Sequence, residues 1–104
     1  MKEKSTQAPI PLESRNGLQN LKYTIAMART GDPNSATSQF FINVRDNAKL
    51  DYPSPDGHGY AVFGKVISGT DVIDQIKFAP TTVVRGMSDV PVTPIVIESA
   101  TLQK

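Results

Sequence analysis

Short apolar runs, each cut off within a few residues by a cluster of Pro, Gly, Asn or Asp, are what most limits the architecture this chain can adopt. Runs of that length suit strands joined by turns, because an amphipathic helix needs its apolar stripe to recur through several turns. With eight Pro and seven Gly among 104 residues, few stretches are left uninterrupted for helices. The expectation is a mainly β chain of four or five strands and one short helix, forming at most one domain over residues 1–104.

Eleven Lys and Arg against ten Asp and Glu leave a formal net charge of +1. That field is too weak to draw the chain non-specifically to nucleic acid or an anionic membrane, so neither is an expected partner. With no Cys in the sequence, disulfide and thiolate chemistry are excluded. No apolar stretch is long enough to span a bilayer, and Lys2-Glu3-Lys4-Ser5-Thr6-Gln7 lacks the apolar core of a secretory signal. A cytoplasmic location is expected from this.

Residues 1–20 read as an irregular leading segment with one short strand near residues 9–12. Residues 21–28 form a strand bounded by Asn20 and the Gly31-Asp32-Pro33-Asn34 turn cluster. In Ser38-Gln39-Phe40-Phe41-Ile42-Asn43-Val44 the alternation puts Phe40, Ile42 and Val44 on an expected core face and Gln39, Phe41 and Asn43 on the other. An aromatic between two amides on the non-core face has two readings: a ring covered by a loop, or a binding group. Pattern alone favours the first.

A long turn-rich loop over residues 46–59 leads to a strand in Tyr60-Ala61-Val62-Phe63-Gly64-Lys65-Val66-Ile67, with Gly64 marking a bulge or a close backbone approach. A helix is expected after Thr70 as N-cap, with Asp71 and Asp74 in its first turn, a buried stripe of Val72, Ile73 and Ile76, and a stop at Ala79-Pro80. Residues 81–92 read as a connector, and the β-branched density of residues 94–102 predicts a final strand.

Conventional catalytic constellations are missing. The single His58 has no second histidine or cysteine with which to bind a metal, and Asp51 and Asp56 lack the spacing of a calcium loop. No phosphate cradle or nucleophile elbow occurs, and neither metal nor cofactor is expected.

Four segments carry a resemblance. Ile25-Ala26-Met27-Ala28-Arg29-Thr30, Ser35-Ala36-Thr37-Ser38-Gln39-Phe40-Phe41-Ile42-Asn43-Val44, Leu50-Asp51 and Tyr60-Ala61-Val62-Phe63-Gly64-Lys65-Val66 resemble consecutive signature segments of the cyclophilin family of peptidyl-prolyl cis-trans isomerases, in its bacterial form. The resemblance implies an incomplete cyclophilin-like antiparallel barrel acting on X-Pro bonds in peptides and folding proteins. By position it implies Phe41 as the floor of a proline pocket, Leu50 and Tyr60 as its walls, and Gln39 as part of the active-site hydrogen-bond network. It also implies the Ala28-Arg29-Thr30 backbone as the edge that pairs with an extended substrate. Gln39 and Phe41 are thereby the implied catalytic residues.

The chain departs from the family in three respects. Lys49 stands where many members carry an aromatic, which implies a more polar rim and weak binding of cyclosporin-like macrocycles. Tyr60 stands where eukaryotic members carry histidine. The family's Phe-x-Arg strand and Gln-Gly-Gly turn are missing from the sequence, and with them the arginine credited with stabilising the twisted amide. Met1-Lys2-Glu3-Lys4 is similar to an interior stretch of bacterial members, which implies an internal start. The expected partners are therefore proline-containing peptides, unfolded proteins, and either the missing N-terminal half or a swapped second copy, covering edges otherwise left open. A proline-peptide-binding half-barrel without catalysis and an inactive truncated product are the alternative functions.

Overall fold

The structure is a computed structural model that describes residues 4–54, 56–84 and 86–102. Met1, Lys2 and Glu3, on which the expected internal start falls, lie outside the described residues, as do Pro55, Arg85, Gln103 and Lys104. The chain divides into two units, Met1–Thr70 and Asp71–Lys104. Among the described residues there are five strands in two antiparallel sheets and one α-helix, with no closed barrel. No described helix is long and apolar enough to cross a membrane.

The first unit is built on a three-stranded antiparallel sheet in the order β2-β1-β3, with β1 Thr24–Met27, β2 Phe40–Ile42 and β3 Val62–Lys65. β1 is central, and the register places Ala26 opposite both Phe41 and Val62. A bulge between Ile25 and Ala26 pairings leaves Phe63 as the extra residue beside Gly64. Gly64 therefore marks the bulge; a Cβ there would meet only the tip of Ile25 at 4.0 Å, so close approach is not its role. The expected strand near residues 9–12 reduces to one bridge, Ile10 to Ala36.

The buried apolar side chains of this unit are small: Ala26, Ala36, Ala61 and Val62. Alanines contribute little transfer free energy, a fraction of the roughly 1.5–3 kcal/mol of a buried Leu or Ile. The face expected as core is not one. Phe40 is 45% exposed and Ile42 and Val44 are only half-buried, because β2 is an edge strand over which no described element of this unit packs. Asn43, on the opposite face, is 1% exposed.

α1, Thr70–Lys77, belongs to the second unit except for Thr70, which lies within the helix itself, and α1 has no buried residue. The stripe expected to be buried is open within its own unit, with Val72 51% and Ile76 41% exposed. The expected connector is instead a hairpin, β4 Thr81–Val84 and β5 Met87–Pro91, turning through Gly86 at φ +79°. The β-branched Thr81-Thr82-Val83-Val84 run before a glycine was the available signal. Residues 94–102 do not form the expected strand: they are unpaired and exposed, Val96 by 74% and Leu102 by 87%. β-propensity reports fit to a pleated surface, and none pairs with this segment.

Candidate functional site

Successive carbonyls from His58 to Val62 each accept a hydrogen bond from elsewhere in the unit. Ser14 Oγ donates to His58, Arg29 Nη2 to Gly59 at 2.6 Å and Asn20 Nδ2 to Tyr60 at 3.3 Å. Met27 N–H donates to Ala61 at 2.9 Å, and Asn16 Nδ2 to Val62 at 2.9 Å. A backbone anchored at every residue has few alternative conformations, so Tyr60 projects from a fixed point.

The Tyr60 ring meets Phe41 edge to face, centroids 5.7 Å apart and planes at 78°. Leu50 ends a 3-10 turn, Ala48–Leu50, and its carbonyl accepts the Tyr60 N–H at 2.9 Å. Phe41, Leu50 and Tyr60, which come from three separate segments, are thus brought together, all half-buried. The rings of Phe41 and Tyr60 touch, whereas Leu50 is joined to Tyr60 through its backbone carbonyl.

Arg29 also packs against Tyr60. Its side chain is 1% exposed, and its guanidinium lies 4.4 Å from the Tyr60 ring centroid. The donors reach the carbonyls of Gly59 and Thr30 and both carboxylate oxygens of Asp56, at 3.1 and 3.0 Å. Desolvation pushes the Asp56 carboxyl up, but hydrogen bonds from Arg29 and from the His58 and Asp56 N–H groups, with the Arg29 charge, outweigh it and hold it below its ordinary value. Since the folded value is the lower one, this pairing stabilises the loop fully above about pH 4 and is lost as the pH falls through the depressed value. The Asp56 side-chain carboxyl carbon signal in NMR spectra is therefore expected to keep its ionised position down to about pH 4 and to move only below it; a change centred near pH 6 contradicts the pairing.

Gly59 is the loop's tightest point. It has φ +70°, and a Cβ there would lie 2.5 Å from the Tyr52 nitrogen and 2.7 Å from its Cα. Backbone cannot swing aside as a side chain can, so Gly59→Ala is expected to destabilise the unit by about 2 kcal/mol, read as a lower urea midpoint. A midpoint unchanged within error contradicts this.

The other expected site residues are distributed as follows. The Ala28 N–H donates to the Gln39 carbonyl at 2.9 Å, and the Thr30 N–H to Ser35 Oγ at 2.9 Å. The Thr30 carbonyl accepts from Arg29. Three backbone groups of the expected pairing edge are thereby engaged within the unit. Gln39 is exposed and lines an open polar groove of about 720 Å³ with residues 4–7, Thr37 and Ser38. His58 is exposed, its N–H donating to Asp56.

Ser14, Asn16, Asn20 and Asn43 were not legible as site residues. The first two lie in a stretch without periodicity, and Asn43 reads as the solvent side of a strand. One signal was present: Asn20 stands four residues before β1 and Asn43 directly after β2, toward adjacent ends of paired strands.

The sequence model of the family described as cyclophilin type peptidyl-prolyl cis-trans isomerase/CLD matches residues 1–102. The peptidyl-prolyl cis-trans isomerase cyp18 of Streptomyces antibioticus is 62% identical over 102 residues, covering 96% of this chain and 61% of the relative. Peptidyl-prolyl cis-trans isomerase A of Dickeya dadantii is 54% identical over 104 residues, covering 100% and 54%. Peptidyl-prolyl cis-trans isomerase B of Escherichia coli is 48% identical over 106 residues, covering 100% and 65%. The chain thus spans between 54% and 65% of the lengths of these relatives.

Proposed function

Because this chain belongs to the cyclophilin-type peptidyl-prolyl cis-trans isomerase family, whose model matches residues 1–102, we propose that it binds proline-containing peptides and unfolded proteins and accelerates rotation about their X-Pro bonds. The observation that carries the reading is the edge-to-face meeting of Phe41 and Tyr60 beside Leu50. A proline ring is an apolar, rigid body, and a half-open aromatic surface takes it without competing hydrogen bonds. Phe41 serves as floor, Leu50 and Tyr60 as walls, and the Arg29 N–H and carbonyl pair with the extended peptide. Gln39 is assigned to the hydrogen-bond network beside them. Lys49, exposed on the turn that carries Leu50, supports weak binding of cyclosporin-like macrocycles.

The reaction asks little of the side chains as acids or bases. Amide resonance sets a barrier of about 20 kcal/mol, and an environment preferring the twisted amide by roughly 7 kcal/mol gives about 10⁵-fold acceleration. A second reading is favoured by Arg29. The sequence has no Phe-x-Arg motif, and the buried Arg29 guanidinium is committed to Gly59, Thr30 and Asp56, so it does not stand in at the proline. That supports capture of proline peptides without turnover.

Exchange between cis and trans signals of a proline tetrapeptide, followed by NMR with the chain added, separates the two. Faster exchange supports the isomerase, and saturable shifts at the uncatalysed rate support the binding module. Neither effect at millimolar peptide sinks both.

A further inference from the structure

The two largest wholly buried side chains among the described residues are amides, Asn20 at 0% and Asn43 at 1% exposure. A buried amide is unfavourable unless its donors and acceptor are matched, and these are matched to particular partners. Asn20 Nδ2 donates to the Leu50 carbonyl at 3.2 Å and the Tyr60 carbonyl at 3.3 Å. Asn20 also binds Asp51 Oδ1 through its backbone N–H at 2.6 Å and its Nδ2 at 3.0 Å. On its other side Asn20 Oδ1 accepts from Asn43 Nδ2 at 3.0 Å, and Asn43 sits two residues beyond Phe41 on the same chain segment.

One side chain therefore touches the backbone of both walls and, through Asn43, the strand that carries the floor. We infer that Asn20 is a positioning residue that sets the spacing of Leu50 and Tyr60 over Phe41, and so the width of the surface offered to a proline ring. This rests on the reading of those three residues as the proline site. Mere filling of space is a poor account of Asn20, because a leucine of similar volume would fill it without requiring three acceptors to converge.

Asn20→Leu separates the two roles, since it keeps volume and removes every side-chain donor. In the full chain it is expected to weaken binding of the proline tetrapeptide about tenfold, at a temperature where circular dichroism shows variant and unmodified chain equally folded. Exchange of the Tyr60 amide, which donates to the Leu50 carbonyl, is expected to quicken about tenfold in the same variant. A dissociation constant within about twofold of the unmodified chain with unchanged Tyr60 exchange overturns the inference, even if the thermal midpoint falls.

Should Asn20→Leu not fold, the unmodified chain decides the matter. The Asn20 Nδ2 proton signals then shift in step with the Tyr60 amide as peptide is added, whereas signals unmoved at saturation overturn the inference. If the unmodified chain binds no proline peptide, the functional reading fails separately. The positioning role then stands or falls on amide exchange alone: quickened Tyr60 exchange in Asn20→Leu, or slow exchange of the Asn20 Nδ2 protons in the unmodified chain, supports it. Unchanged Tyr60 exchange, or Nδ2 protons exchanging as fast as those of an exposed amide, overturns it.

Discussion

Arg29→Ala is expected to lower the unfolding free energy by about 3 kcal/mol, a large part of what a chain this size can hold in reserve. The guanidinium serves as side-chain donor to the Gly59 and Thr30 carbonyls; the Gly59 carbonyl is part-buried and loses roughly 1–3 kcal/mol without its donor, whereas the exposed Thr30 carbonyl turns to water. Loss of the cation from the Tyr60 ring adds about 1 kcal/mol. The ion pair itself adds little, because the Asp56 side chain is 37% exposed and water replaces the partner. Asp56→Asn is therefore expected to be mild, whereas Arg29→Lys recovers only a fraction, since an ammonium cannot fork to Gly59, Thr30 and Asp56 at once. Urea denaturation monitored by tyrosine fluorescence measures all three. A loss below about 1 kcal/mol for Arg29→Ala shows that the guanidinium does not clamp the loop.

The second large effect concerns recognition. Phe41→Ala is expected to weaken proline-peptide binding about 100-fold, equivalent to about 2.7 kcal/mol, because the ring supplies both the apolar floor and the edge-to-face partner of Tyr60. Stability changes less than for a core phenylalanine, since Phe41 is only half-buried. Phe78→Ala, which removes a 77% exposed ring in the second unit, serves as control and leaves binding within about twofold. Equal losses in the two variants indicate non-specific adhesion of peptide to apolar surface and contradict the site.

β1, β2, β3 and α1 were legible because strand alternation and helical spacing are properties of neighbours along the chain. The bulge was legible for the same reason, glycine at position 64 being a local signal. Burial was not. Phe40 and the Val72–Ile76 stripe carry the spacing of core positions, yet each lies open within its own unit. Residues 94–102 have strand composition and no strand.

Sequence by itself determined the family, the short strands and the helix; a proline surface entered only as what the resemblance implies. Tertiary structure alone decided that Asn20 and Asn43 are the buried pair, that Ser14, Arg29, Asn20 and Asn16 hold the carbonyls of His58, Gly59, Tyr60 and Val62, and that the Arg29 guanidinium is structural. The physical reason is range. Periodicity and turn chemistry depend on residues within a few positions, whereas Tyr60 for Asn20, Gly59 for Arg29 and Asn20 for Asn43 are partners 23 to 40 residues away along the chain. Only the folded geometry brings those groups within hydrogen-bonding distance.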